Sequence, residues 1–240
     1  MPARIIAVMS PKGGVGKTTV SVNLSSAIGA LKKKVLIIDT NVDTPHVAIY
    51  FGFVGYKNSL EDVLSGAIPI TEAIYKTDDA NVDILPSRVF KIKGDGNARY
   101  RLINLFHQLK KIAASYDYIV LDSRPSLDVD FLRPITGAEA VIVTMPEIAS
   151  VIEAKKLQDT VASAGIGVAG MILNKVNRRT IGMMDEEEVK KVLEVKNLWK
   201  VPDDSNLFDA LRRGIPIVSV NRRSGASKAF MEIARDIMSK

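Results

Sequence analysis

Lys12-Gly13-Gly14-Val15-Gly16-Lys17-Thr18-Thr19 is the stretch on which the reading of this chain turns. It stands directly after the apolar run Ile5–Met9. Directly after it, Val20, Leu24, Ala27, Ile28 and Leu31 recur at helical spacing. A strand, a glycine-rich loop and a helix in that order make a cradle for phosphate groups. The glycines let backbone amides approach a polyanion without side-chain obstruction. The helix start adds open N–H groups and the positive end of its dipole. Lys17 is placed to reach the terminal phosphates of a nucleoside triphosphate, the Thr18 hydroxyl to take a Mg2+ position, and Thr19 to hydrogen-bond the α-phosphate.

Beyond the loop the pattern repeats. Short runs rich in Val, Ile and Leu occur at Ile5–Met9, Val35–Ile38, Val82–Leu85, Tyr118–Leu121, Ala140–Val143 and Val168–Leu173, with a weaker one at Leu198–Val201. They lack polar alternation, as expected of parallel strands covered on both faces. Amphipathic segments separate them, and the last carries Phe230, Ile233 and Ile237 at helical spacing. Strand alternating with helix predicts an α/β fold: a doubly wound, mostly parallel sheet with helices on both faces. No repeat, low-complexity tract or linker interrupts it, so residues 1–240 read as one P-loop domain. Residues 88–101, with Gly94-Asp95-Gly96-Asn97, read as loop. Lys32-Lys33-Lys34, at the end of the first helix, read as partners of its dipole.

Composition sets the outer limits. The 240 residues carry 33 Lys+Arg against 27 Asp+Glu, a net +6, with 47% hydrophobic residues, which is globular and only modestly basic. There is no cysteine, which excludes disulfides, thiolate zinc sites, cysteine-held iron–sulfur clusters and thiol catalysis. His46 and His107 are the only imidazoles. Ile5–Met9 is too short to span a bilayer and runs straight into the loop, so a cytoplasmic protein is expected.

Two carboxylates complete the phosphate chemistry. Asp39 and Asp122 each close a strand-like run. Acids at the carboxyl ends of parallel strands point into the crevice where ligands bind. There they can hold Mg2+, directly or through its water shell.

Lysine at position 12, followed by Gly13-Gly14, resembles the deviant Walker A motif of the ParA/MinD family of ATPases. The resemblance runs along nearly the whole chain and is closest to MinD-like members. Val35 to Asp39, Asn58 to Gly66, Tyr116 to Ser123, Met145-Pro146-Glu147, Leu173-Asn174-Lys175, Val201-Pro202-Asp203-Asp204 and Ala210 to Pro216 all look like family segments in their usual order. It implies an ATPase using ATP and Mg2+. It also implies an ATP-bound homodimer in which Lys12 reaches the nucleotide of the partner, and an activating protein partner. Catalytic work falls to Lys12, Lys17 and position 41. The nucleotide site is Lys12, Gly13, Gly14, Val15, Gly16, Lys17, Thr18 and Thr19, with Asn174 reading the adenine edge and Pro202 and Asp203 walling the base pocket. Thr18, Asp39 and Asp122 form the metal site.

The chain departs from the family at two places. Relatives commonly read Asp-x-Asp where this sequence reads Asp39-Thr40-Asn41. The second Asp helps position the attacking water. An amide orients water without accepting its proton, so hydrolysis is expected to be slow. Asp43 is a candidate substitute. In Asp122-Ser123-Arg124-Pro125-Ser126, Arg124 stands where relatives often have Pro and offers a guanidinium to phosphate, to a partner carboxylate or to solvent.

Family members acting at division sites typically continue past the last helix into a membrane-binding tail. Here the sequence stops at Met238-Ser239-Lys240, so direct membrane binding by that route is not expected, and the Phe230/Ile233/Ile237 stripe is assigned to the core. The doublets Arg178-Arg179, Arg212-Arg213 and Arg222-Arg223, with Lys228, are candidates for non-specific DNA contact through phosphates. Three functions stay open: an ATP-dependent dimerisation switch positioning DNA or division machinery, an ATP-binding regulator or scaffold that hardly hydrolyses, and a metabolic enzyme on the same scaffold.

Overall fold

The computed structural model describes residues 3–88, 105–126, 129, 137–177 and 182–239. Strand β1 (Arg4–Met9) and helix α1 (Lys17–Ala30) flank the glycine-rich loop, as the sequence predicts. In chain order there follow β2 (Val35–Asp39), α2 (Val47–Tyr50), α3 (Leu60–Leu64), β3 (Tyr75–Lys76), β4 (Val82–Leu85), α4 (Leu105–Ile112) and β5 (Tyr118–Asp122). The chain continues with β6 (Glu139–Thr144), α5 (Ile148–Ser163), β7 (Gly167–Val176), α6 (Glu186–Leu193), β8 (Leu198–Pro202), α7 (Asn206–Arg213), α8 (Ile217–Val220) and α9 (Gly225–Met238). Among the described residues the strands form one sheet in the order β3-β4-β2-β5-β1-β6-β7-β8. Seven strands run parallel, and β3 alone is antiparallel, against β4. β3 has two residues, too few to leave an alternation in the sequence.

Two apolar cores lie on the two faces. Ile6 and Val8 point to one, with Val20, Leu24 and Ile28 of α1 and Phe230, Ile233 and Ile237 of α9. Ala7 and Met9 point to the other, with Leu109 of α4, Val151 and Leu157 of α5, and Val189 of α6. The α9 stripe is therefore core-facing: Phe230 and Ile237 are fully buried and Ile233 nearly so, each contributing roughly 1.5–3 kcal/mol.

Lys32, Lys33 and Lys34 lie beyond the last turn of α1, which ends at Ala30. Lys32 takes a left-handed φ of 63°. Lys33 pairs with Asp117 at 3.6 Å, and the Lys34 amide donates to the same carboxylate at 2.8 Å. Lys33 and Lys34 thus fasten the α1–β2 turn to the start of β5, and none of the three lies in the last turn of the helix. Most of residues 88–101, and the doublet Arg178-Arg179, fall outside the described residues.

β1, β2 and β5 lie side by side, with Asp39 and Asp122 at paired positions of β2 and β5. Parallel pairing thus delivers the loop and both carboxylates to one end of the sheet.

Candidate functional site

The loop after β1 closes through Gly14 and Gly16, whose φ angles are 82° and 89°. Gly16 has a second reason to be glycine: a Cβ there would lie 2.2 Å from the Asn174 amide nitrogen. That nitrogen donates to the Val15 carbonyl at 2.8 Å, and Lys175 Nζ donates to the Gly14 carbonyl at 2.9 Å. The end of β7 therefore stitches the phosphate loop from behind. Asn174 is 3% exposed. One end of its amide is engaged by the loop, and its carbonyl end keeps the capacity to meet a base.

Helix α1 starts without a side-chain cap and without an acid in its first turn. Side chains cap α6, through the reciprocal box of Asp185 and Glu188, and α9, through Ser224, whereas α5, like α1, has neither a side-chain cap nor a first-turn acid. The open N–H groups of α1 are what a bound anion satisfies.

Behind the loop a charged cluster is buried. Lys17, 5% exposed, sits 2.8 Å from Asp122 Oδ1, and Asp122 is fully buried. Thr18 donates to Asp122 Oδ2 at 2.7 Å and Ser21 to Oδ1 at 2.7 Å. Asp39, fully buried in the neighbouring strand, accepts from the backbone N–H groups of Asn41 at 3.1 Å, His46 at 2.9 Å and Val47 at 3.0 Å. Burial, reinforced by the negative charge of Asp122, pushes the Asp39 carboxyl up to about 8, against the pull of the Val47 amide, Lys17 and the Asn41 amide.

Two carboxylates and one ammonium leave this buried cluster one positive charge short, a deficit that a proton on Asp39 or a cation can fill. Hydroxyl and carboxylate oxygens are the donors Mg2+ takes, alongside phosphate oxygens. Thr18, Asp122 and Asp39 therefore fit that ion, Thr18 and Asp122 already touching. Among the described residues no group of three or more His, Asp or Glu side chains is placed to hold a metal ion.

Asn41, 5% exposed, is bound to its own loop. Its Nδ2 donates to the Thr44 carbonyl at 2.8 Å and to Thr44 Oγ1 at 3.0 Å, while Oδ1 accepts from the Thr44 amide at 3.4 Å. Asp43 is exposed, and Arg124 is half-buried beside Pro125, which lines the cleft.

The cleft itself holds about 500 Å³. Lys12, Lys17, Thr18, Asn41 and His46 line its phosphate end. Asn174, Pro202, Asp203, Asp204, Leu207, Phe208 and Leu211 line the other, with Ile49 and Tyr50 of α2. The expected residues of the phosphate loop, Val15 excepted, and of the base wall thus share one crevice, while Asp39 and Asp122 are buried behind it, Asp122 joined to it through Lys17 and Thr18. Among the described arginines, Arg212, Arg213, Arg222 and Arg223 do not line it: Arg212 and Arg213 close α7 and share Asp209, at 3.1 and 2.8 Å. Arg222, Arg223 and Lys228 are exposed between α8 and α9 and at the start of α9.

Four participants escape sequence reasoning. Ser21 is detectable, one helical turn beyond Lys17 on the same face. Tyr50, whose hydroxyl lies 2.7 Å from Thr19 Oγ1, Thr44 and Phe208 carry no motif, since only folding brings them to the cleft.

A family model described as an AAA domain matches residues 3–165. An uncharacterized ATP-binding protein of Methanocaldococcus jannaschii is 32% identical over 231 residues, covering 96% of this chain and 86% of the relative. The septum site-determining protein MinD of Synechocystis is 31% identical, covering 97% and 88%. Among solved structures, the septum site-determining protein MinD of Pyrococcus horikoshii, complexed with Mg-ADP, superposes with a TM-score of 0.87 at 31% identity, covering 98% of this chain and 96% of that one.

Proposed function

From membership of the ParA/MinD family of P-loop ATPases, to which this chain belongs, we propose that it is a cytoplasmic, single-domain ATP-dependent dimerisation switch. Mg2+-ATP brings two copies face to face over the nucleotides, slow hydrolysis releases them, and a protein partner accelerates that release. The names of the relatives, septum site-determining proteins among them, support a role in positioning division or partitioning machinery.

The observation that carries this reading is Lys12. Its ammonium lies outside the Lys17–Asp122 cluster and meets Glu153 of α5 at 3.7 Å, both side chains being more than a third exposed. That separation is too long for a hydrogen bond, and exposed pairs contribute about 0–1 kcal/mol, so releasing Lys12 costs little. Beside Glu153 on α5, Ile148 and Ile152 are 64% and 46% exposed, an apolar face suited to a second copy.

Within one subunit the roles divide by chemistry. Lys17 neutralises the terminal phosphate oxygens, and the α1 amides and Gly13–Gly16 backbone hold the rest. Thr18, Asp39 and Asp122 are the residues that would hold Mg2+, directly or through its water shell, and the ion would supply positive charge to the phosphates. Asn41, tied to Thr44, fixes the loop beside the γ-phosphate without a carboxylate to accept a proton. Lack of that base typically costs about 10²–10⁴-fold, and a long-lived ATP dimer is the result. Arg222, Arg223 and Lys228 supply a salt-sensitive contact to DNA phosphates. Arg212 and Arg213, partly neutralised by Asp209, add less.

Light scattering with ATP, with ADP and without nucleotide tests the switch. ATP alone shifts the protein to a dimer, and Lys12→Ala keeps ATP binding while losing the shift. A Lys12→Ala protein that dimerises fully with ATP refutes the cross-subunit role.

A further inference from the structure

Tyr50 ends α2, the four-residue helix whose start is fastened to Asp39 through the His46 and Val47 amides. Its hydroxyl lies 2.7 Å from Thr19 Oγ1, and both residues line the nucleotide cleft. Thr19 is the hydroxyl expected on the α-phosphate. A phenol within hydrogen-bond distance of that oxygen is therefore also within reach of the anion. Ile49, Leu207 and Phe208 line the same cleft and supply its apolar surface.

We propose that Tyr50 is a further nucleotide-contacting residue, its hydroxyl donating with that of Thr19 to the α-phosphate. Three features favour this over a hydroxyl pair that serves only folding. The pair opens on the cleft and is not sealed in the core. Tyr50 is a donor that stays protonated, because burial pushes its phenol up and the charge of Asp122 acts in the same direction, with only the Thr19 bond opposing. And Thr19 Oγ1 and the Tyr50 hydroxyl are neutral partners of one another. An anion gives both a stronger one, since hydrogen bonds to charged groups are roughly twice as strong as neutral ones.

The contact also joins the two ends of the site. α2 is held at its start by Asp39, beside the metal-holding residues, and at its end by Thr19. A nucleotide drawing Tyr50 inward therefore orders α2 from both ends. Phosphate is the group recognised. Because the α-phosphate is common to ATP and ADP, Tyr50 contributes to holding either nucleotide and not to telling them apart.

The inference rests on nucleotide binding at the phosphate loop, so the test carries controls for both. Calorimetry with ATP and ADP is expected to show Tyr50→Phe binding each about tenfold more weakly, with their affinity ratio unchanged. Thr19→Val gives a similar loss, and Thr19→Ser restores most of it. The double variant Tyr50→Phe, Thr19→Val loses less than the product of the two single losses, as groups sharing one partner do. In phosphorus NMR of bound ADP, Tyr50→Phe shifts the α resonance and leaves the β resonance in place, a change that loosened folding alone does not make. Wild-type affinity for both nucleotides in Tyr50→Phe, strictly multiplicative losses in the double variant, or an unmoved α resonance each overturn the role of Tyr50 while leaving the loop assignment intact. A wild-type protein that binds neither nucleotide, or a Lys17→Ala variant that binds both unchanged, overturns the underlying reading instead. Should Tyr50→Phe fail to fold, the Thr19 pair still decides: full affinity in Thr19→Val removes the shared phosphate contact.

Discussion

Two clefts of similar size open at opposite ends of the same sheet. One, of about 500 Å³, lies at the carboxyl ends of the strands and holds the phosphate loop. The other, of about 570 Å³, lies at the amino ends, lined by Lys34, Lys76, Asp79, Asp83 and Tyr116. In the second, Lys34 and Lys76 are exposed, Asp83 accepts from Tyr116 at 2.9 Å, and Asp79 accepts from Ser219 at 2.6 Å. The other oxygen of Asp79 is enclosed without a hydrogen bond. Behind the first, Lys17, Asp39 and Asp122 are buried together, two carboxyl groups to one ammonium, beside a helix start with no side-chain cap. Volume does not distinguish the two. A buried ammonium with two buried carboxyl groups does: the second cleft has no such cluster, and its lysines stand in water.

The largest effect that tests this contrast is removal of the buried cation. Lys17→Ala should weaken ATP binding by about a hundredfold or more, since it deletes the ammonium facing the terminal phosphates. Lys34→Ala, at the other end, should leave affinity within about twofold, exposed charges being worth little. Calorimetry on both decides, and comparable losses would erase the distinction between the clefts.

Next comes hydrolysis. Asn41→Asp should raise single-turnover hydrolysis by about tenfold or more. The substitution removes the Nδ2 donor that ties position 41 to Thr44, freeing the new carboxylate to turn toward water. If the rate stays unchanged while Asp43→Ala abolishes hydrolysis, Asp43 holds the water and the amide at 41 is a tolerated neighbour.

The contrast between the clefts also separates what the sequence makes legible from what it hides. Chemistry written in consecutive residues was readable. Lys12 to Thr19 announced strand, loop and helix, and the unbroken apolar runs before Asp39 and Asp122 announced parallel strands with acids at their carboxyl ends. Contacts made only by crossover were not readable. Asn174 touches Val15 across 159 positions and Tyr50 touches Thr19 across 31, and neither spacing carries a local signal. Lys33 and Lys34 show the same limit, because dipole complementarity and an ion pair at a strand's start favour the same residues. Only the position of Asp117 separates the two.

A smaller effect concerns pH. Asp39 has an ordinary carboxyl pKa near 3.8 in the unfolded chain and about 8 when folded. The folded, metal-free protein therefore binds more protons than the unfolded one between those values. The contribution of this group to stability is fully present below the lower value and falls as pH rises toward the upper. In chelator, Tm should drop by about 5 °C or more between pH 5 and pH 8. Asp39→Asn should flatten that slope, whatever it does to Tm itself, because the amide does not titrate. Mg2+ should restore Tm at pH 8, where the ionised carboxylates can take it. A Tm that rises through this range would show that Asp39 is charged in the empty cleft.

The smallest effect belongs to the second cleft. Tyr116 donates to Asp83 at 2.9 Å, and partial burial, with the Asp83 bond and charge, pushes its phenol above the ordinary range. The hydroxyl is therefore a neutral donor throughout the working range, holding the approach to β5 against β4. Tyr116→Phe removes one hydrogen bond to a charged group, worth roughly 1.5 kcal/mol when half-exposed, or a Tm loss of about 3–6 °C. Water reaches Asp83 once the hydroxyl is gone, which places the expected loss at the lower end. Because the bond lies at the amino ends of the strands, affinity for ATP and the ATP-driven change in size should not move. Thermal unfolding and calorimetry on the same sample read both quantities. A variant with normal Tm but weakened nucleotide binding would mean that the two ends of the sheet are energetically coupled, and that the second cleft is more than a joint between β4 and β5.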